Sequence, residues 1–365
     1  MRKRDGTFEE REPTERQLQA RLPAPHGSRP QPPQFPTAPS SRGSDGRGDA
    51  PGRGDAPKTG SKWYVGVVIV LCAAGLAFAG SIFVTAVEQA AMTRDFKTAD
   101  MLLKQYRTQR GANAEYLEAD SWVGRGQLYA RNFPAALQNA SEVQQLCLKQ
   151  LAGRKLDVEP SLPQALGASI EVTAQALAAE GRRDEAVTFL RAEMEKWRAT
   201  SIGARIQKNI NLLSLEGKPA PALDVARGVA GPQPRPLSAH AGHPVLLFFW
   251  AHWCSDCKAE IPIIQQLEKA YRAKGLEVIA PTQHYGYVAG GVDAPREVET
   301  PYIRQIFAQY YAGLGNVETP LSEANFARYG VSTTPTLVLV NKAGIVTLYH
   351  PGVMTFDELA AALRR

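Results

Sequence analysis

Two cysteines two residues apart, Cys254 and Cys257, follow an apolar run from Val245 to Trp250 and precede a helical pattern. No other stretch constrains the fold as much, because it reads as a buried strand that delivers a cysteine pair to the start of a helix. There the helix dipole and the free N–H groups stabilise a thiolate on the first cysteine, and the pair can close a small disulfide. The other use of such a pair is half of a zinc site, which needs a second pair of ligands. Cys72 and Cys147 are single and remote, and no two histidines have ligand spacing. The pattern therefore favours redox chemistry over a metal, with no cofactor beyond the Cys254–Cys257 disulfide itself.

The chain has 365 residues, room for two domains and accessory segments. Its formal charge of +6 comes from 42 basic and 36 acidic residues spread along the sequence. That describes a solvated surface rather than a nucleic-acid footprint, so no nucleic-acid partner is expected. Residues 1–62 are rich in Pro, Gly, Arg and Ser and hold too few large apolar residues to build a core, which predicts a disordered tail. The duplicated Gly-Arg-Gly-Asp-Ala-Pro at 46–57 reads as low complexity rather than an adhesion motif. The proline spacing at Pro30, Pro33 and Pro36 reads as stiff linker.

Residues 63–87 carry no charge and sit between Lys62 and Glu88. At about 1.5 Å per residue they reach roughly 37 Å as a helix, enough for a bilayer core of about 30 Å. Trp63 and Tyr64 stand where an interfacial aromatic belt would lie, so a transmembrane helix is expected, against the rival of a buried core helix. Four basic residues flank the span closely on each side, which leaves its orientation open.

Residues 88–216 show apolar positions at helical spacing, as in Leu162, Leu166, Ile170 and Leu177. Gly181 to Ala186 resembles the turn of a tetratricopeptide hairpin, with a weaker echo at Arg131 to Ala136. The 50-residue offset between Ala136 and Ala186 departs from the regular 34. Such a region either binds a protein partner or packs as a helical spacer. Cys147 lies on its apolar face and reads as a small buried hydrophobe.

From residue 217 the pattern alternates. Val245–Trp250 and Leu276–Ala280 read as strands, with a helix from Cys254 to about Ala273 between them. Residues 281–322 form an insertion with a helix expected after Pro301. Ser322 starts a short helix. Pro335–Val340 and Ile345–Tyr349 read as a hairpin, and Thr355 with Glu358 as a capping box for the last helix.

Phe249 to Lys258, Phe-Trp-Ala-His-Trp-Cys-Ser-Asp-Cys-Lys, resembles the active-site stretch of the thioredoxins. Tyr329 to Thr336 resembles their proline loop. Gly217 to Pro221, Glu260 and Pro262 are similar to the membrane-anchored TlpA/ResA branch. The resemblance covers residues 217–365. It implies an α/β thioredoxin-like fold, a central mixed sheet flanked by helices, and a thiol–disulfide oxidoreductase. Cys254 would be the exposed nucleophile, Cys257 the buried resolving thiol, and Glu260 a proton-transfer group. Trp253, Thr334 and a cis Pro335 would border the substrate. Thioredoxins carry a buried Asp where this chain has Phe248, and Asp256 replaces the usual proline between the cysteines. A carboxylate there opposes a nearby thiolate.

His252 reads as a surface residue. His284, Tyr285 and Tyr287, at the end of the second strand, either shape a substrate groove or serve as ordinary aromatic packing. The resemblance further implies an extracytoplasmic domain on a single-pass membrane protein, reduction of protein disulfides in cytochrome c or metal-site maturation, and an electron donor in the membrane. A thiol peroxidase is disfavoured by Leu247 and Ala251 at positions where peroxiredoxins have Pro and Thr. The rival from another class is a helical partner-binding scaffold with a secondary redox domain.

Overall fold

The computed structural model describes residues 76–315 and 317–364. The tail at 1–62 and residues 63–75 of the expected membrane span, Cys72 among them, lie outside the described residues. Residues 76–87 of that span begin helix α1, Leu76–Met92, which continues past Glu88. Val84 and Val87 are buried in the helical core that follows. Among the described residues no helix is long and apolar enough to cross a membrane.

The expected all-helical region is present. Helices α2 (Phe96–Arg110), α3 (Ala114–Tyr129), α4 (Phe133–Leu151), α5 (Ser161–Ala179), α6 (Arg183–Trp197) and α7 (Gly203–Ser214) follow in order. Asp95 and Asn113 cap α2 and α3 by accepting the N–H groups of Thr98 and Tyr116, which satisfies donors the helix cannot pair itself. The two turns singled out in the sequence do separate helices. Gly181 takes a left-handed φ of 81° between α5 and α6, and Arg131 takes 61° at the matching place between α3 and α4. Leu117, Val143, Cys147, Leu166, Ile170, Leu190 and Ile206 share one apolar core. Burial there pushes the Cys147 thiol up to about 12 and leaves it a packing residue. The core also encloses Glu171, which pairs with Arg205 at 2.6 Å and Lys208 at 2.9 Å. Burial works to raise its carboxyl, but Lys208 and Arg125 beside it hold it below the usual range.

The second region is built on strands β1 (Val245–Phe249), β2 (Glu277–Ile279), β3 (Thr336–Val340) and β4 (Val346–Pro351), in the order β2-β1-β3-β4. β1 and β2 run parallel; β1–β3 and β3–β4 are antiparallel. Every β1 residue is buried because both faces of the sheet are covered. Leu246, Phe248 and Trp250 point into a core with helices α8 (Ser255–Tyr271), α9 (Arg296–Ile306) and α11 (Phe356–Leu363). Val245, Leu247 and Phe249 face α10 (Glu323–Tyr329) and Leu215, at the end of the helical region.

Both sheet edges are covered. The entry segment pairs with the β4 edge, where Gly217 donates to Val346 at 2.8 Å and Ala220 to Gly344 at 2.9 Å. The returning end of the insertion lies along β2, where Ala280 donates to Glu318 and Thr282 to Pro320, each at 2.9 Å. Segments laid along part of each edge reduce the backbone open to a foreign strand.

One element departs from expectation. The insertion helix does not start after Pro301; α9 spans Arg296–Ile306 and holds Pro301 inside. The missing N–H leaves the Glu297 carbonyl without its helical donor. Acidic Glu297 and Glu299 in the first turn favour the earlier start through the helix dipole.

Candidate functional site

β1 ends against the polypeptide it needs to present the cysteines. The Trp250 indole donates to the Ala280 carbonyl at 3.0 Å, and Thr282 Oγ1 donates to the Trp250 carbonyl at 2.9 Å. With the strand end pinned, the chain turns once and enters α8. Cys254 is the N-cap and is bonded to Cys257 in a disulfide. The Cys257 N–H donates to Cys254 Sγ at 2.9 Å, so an N-terminal amide of α8 is aimed at the first sulfur. That donor, with the helix dipole, favours negative charge on Cys254 once the disulfide opens. Cys257 is fully buried. Cys254, expected to be exposed, is only 3% exposed in the bonded state, with the Thr334 carbonyl oxygen 3.5 Å from its sulfur.

The remaining expected positions converge on this point. Trp253 is 48% exposed beside the disulfide, a large apolar surface next to the reactive bond. The Thr334–Pro335 peptide is cis and borders Cys254. The Pro335 carbonyl accepts from Gly352 at 2.8 Å, and two residues on Met354 donates to Glu260 Oε1 at 3.0 Å. One short segment after β4 thus ties the proline loop to the buried acid of α8. Glu260 is 1% exposed, one turn beyond Cys257 on the same helix. Burial pushes its carboxyl up to about 7; Glu358 and Asp256 add to the rise, and the Met354 N–H opposes it. A carboxyl poised there can hold or release a proton near neutral pH. Asp256 itself is exposed.

His252 is not a surface residue. It is 1% exposed, and its Nε2 lies 3.3 Å from Oε1 of Glu299, which is fully buried. Tyr285, Tyr287 and Tyr302 surround the imidazole edge-on, with centroids 5.3–5.4 Å away. Burial lowers the His252 pKa, against the pull of Glu299. The covering groups all come from the 281–322 insertion, so nothing near His252 in sequence signals its burial. Tyr285 also meets Trp253 edge-on at 5.5 Å, which brings the insertion to the disulfide. Glu299 was not singled out in the sequence. The available signal was an acidic residue in the first turn of a helix after Pro295.

The thioredoxin-like domain family matches residues 237–365. The thiol-disulfide oxidoreductase ResA of Bacillus thuringiensis is 30% identical over 124 residues, covering 34% of this chain and 64% of that protein. The chain thus matches less than two thirds of that relative's length. The thioredoxin-like protein YneN of Bacillus subtilis is 28% identical over 148 residues, 40% of this chain and 78% of that one. Among solved structures, a thioredoxin-family thiol:disulfide interchange protein of Chlorobium tepidum aligns at a TM-score of 0.32 and 17% identity, covering 41% of this chain and 95% of that one. Residues 237–365 thus match the thioredoxin-like domain family, and the relatives that align with this part of the chain are thioredoxin-like proteins and thiol–disulfide oxidoreductases of the ResA kind.

Proposed function

We propose that the chain is a thiol–disulfide oxidoreductase that reduces protein disulfides outside the cytoplasm from a membrane anchor. The observation that carries the reading is the Cys254–Cys257 disulfide at the N-terminus of α8, with an amide aimed at Cys254 Sγ. Starting from the dithiol, the Cys254 thiolate attacks a client disulfide. One client sulfur bonds to Cys254 and the other leaves as a thiolate. Cys257 then gives up its proton, with Glu260 as the acceptor, and attacks Cys254 Sγ. The second client sulfur departs, and Cys254–Cys257 re-forms. The two electrons come from the dithiol, so the disulfide is the redox group and no separate cofactor is required. Trp253, Thr334 and Pro335 border the incoming chain.

The anchor would be the apolar stretch 63–87 and the donor a membrane protein, since an extracytoplasmic dithiol must be reduced again from across the bilayer. The names of the relatives support the redox chemistry. Maturation of cytochrome c or of a metal site is the client setting the resemblance favours. The helical region would hold a protein partner.

Replacing the resolving thiol tests the order of attack. Cys257→Ser accumulates a mixed disulfide between Cys254 and a client, visible on non-reducing gels and absent in Cys254→Ser. Trapping that instead requires Cys254→Ser reverses the assignment of the two sulfurs.

A further inference from the structure

The insertion leaves β2 through His284, Tyr285 and Gly286 and forms a short ribbon before α9 begins. Ala294 donates to the Gly286 carbonyl at 2.8 Å and Val288 to Val292 at 2.9 Å, while Tyr287 pairs antiparallel with Asp293. The base of the ribbon is fixed by a single carboxylate. Glu299 Oε1 accepts the Tyr285 N–H at 2.5 Å, and Oε2 accepts the Gly286 N–H at 3.0 Å. The third donor is the Nε2–H tautomer of His252, two residues before Cys254. Three N–H groups satisfy a carboxylate that is wholly removed from water. His284 Nε2, 2.8 Å from Thr300 Oγ1, makes a second tie between the strand end and α9.

We propose that Glu299 is a positioning residue for client recognition: it locks the ribbon to the active-site stretch, so that Tyr285 stands against Trp253 as one wall of the client groove. The proposal rests on the oxidoreductase reading above. It gives the insertion the role of choosing which disulfides are reduced. The wall is aromatic: the half-buried Tyr285 meets Trp253 edge-on, and Tyr287 lies 6.3 Å from Tyr285. The client class that fits is an extended protein segment with a large apolar residue beside its disulfide cysteine. Burial of that residue against the wall would supply the preference.

Gln at position 299 keeps the shape but offers one acceptor oxygen to donors that occupy both carboxylate oxygens. The ribbon base then loses at least one of its bonds, and Tyr285 loses its fixed place.

The test uses two disulfide-cyclised peptides that differ only in the residue beside one cysteine, Phe or Ala. The wild-type full chain should reduce the Phe peptide with the higher kcat/KM. In Glu299→Gln that preference should fall about tenfold, mainly through KM. Tyr285→Ala, which removes the wall but retains the backbone N–H that Glu299 accepts, should lose the same preference, and it tests the wall even if Glu299→Gln does not fold. A preference retained in both variants, or absent from the wild type, overturns the proposal. A wild-type chain that reduces neither peptide overturns the oxidoreductase reading, and the proposal with it.

Discussion

At the scale of single residues, the site depends on acids kept out of water. Glu260 has a folded-state pKa of about 7, above the value near 4.3 of a free glutamate. The folded state therefore binds more protons than the unfolded one between these values, and stability falls as pH rises through that window. Glu260→Gln removes the titration and keeps an oxygen for the Met354 N–H. Relative to wild type, the variant should gain stability by about 2–3 kcal/mol on going from pH 4 to above pH 7, measured by urea unfolding at each pH. A difference that does not change with pH would place Glu260 in contact with water. The same substitution removes a neighbouring negative charge, so the thiol titration of the reduced protein should shift to lower pH.

The residues of the motif were legible in sequence because helix start, strand end and cysteine spacing are local. His252 was not, because the Glu299 that holds it lies 47 positions downstream. Burial created by a distant insertion leaves no periodic trace beside the residue it covers.

At the scale of elements, the same division between local and distant causes holds. β1, the β3–β4 hairpin and the Thr355–Glu358 capping box follow from alternation, turn residues and cap chemistry within a few positions. The start of α9 does not, since Pro301 marks a boundary by its own chemistry and is overruled by the first turn before it. The closing of both sheet edges by segments far apart in sequence was likewise beyond a local reading.

The junction of α10 and α7 makes an element-level prediction. Gly330 ends α10 at a φ of 60°, and a Cβ there would lie 2.3 Å from the Lys208 nitrogen of α7. Gly330→Ala should therefore destabilise the folded chain by about 2 kcal/mol or more, through left-handed strain and forced separation of the two helices. Unchanged thermal unfolding would mean that the helices do not touch in solution. The proline loop follows Gly330 within five residues, so the helical region supports the segment that borders Cys254.

At the scale of the whole molecule, the described helical region and the thioredoxin-like domain share packing, with Leu212 and Leu215 against the layer of Phe249, Tyr329 and Val346. The anchor is read from the composition of residues 63–87 together with the resemblance, and the balanced flanking charge leaves its direction to the resemblance. An extracytoplasmic domain predicts that a membrane-impermeant maleimide labels Cys254 in intact cells after mild reduction. Labelling that appears only after lysis would put the domain in the cytoplasm.

The proposed function requires that Cys254 and Cys257 cycle between dithiol and disulfide as a reductant. Equilibrating the purified chain with graded thiol–disulfide buffers, and counting free thiols at each, measures the potential of the pair directly. A reversible two-electron couple at about −270 mV, the value of a thioredoxin-type reductant, is expected. A couple at about −120 mV would make the protein an oxidant, and a disulfide that stays closed below about −300 mV would mark a structural bridge; either result rules out a reducing dithiol.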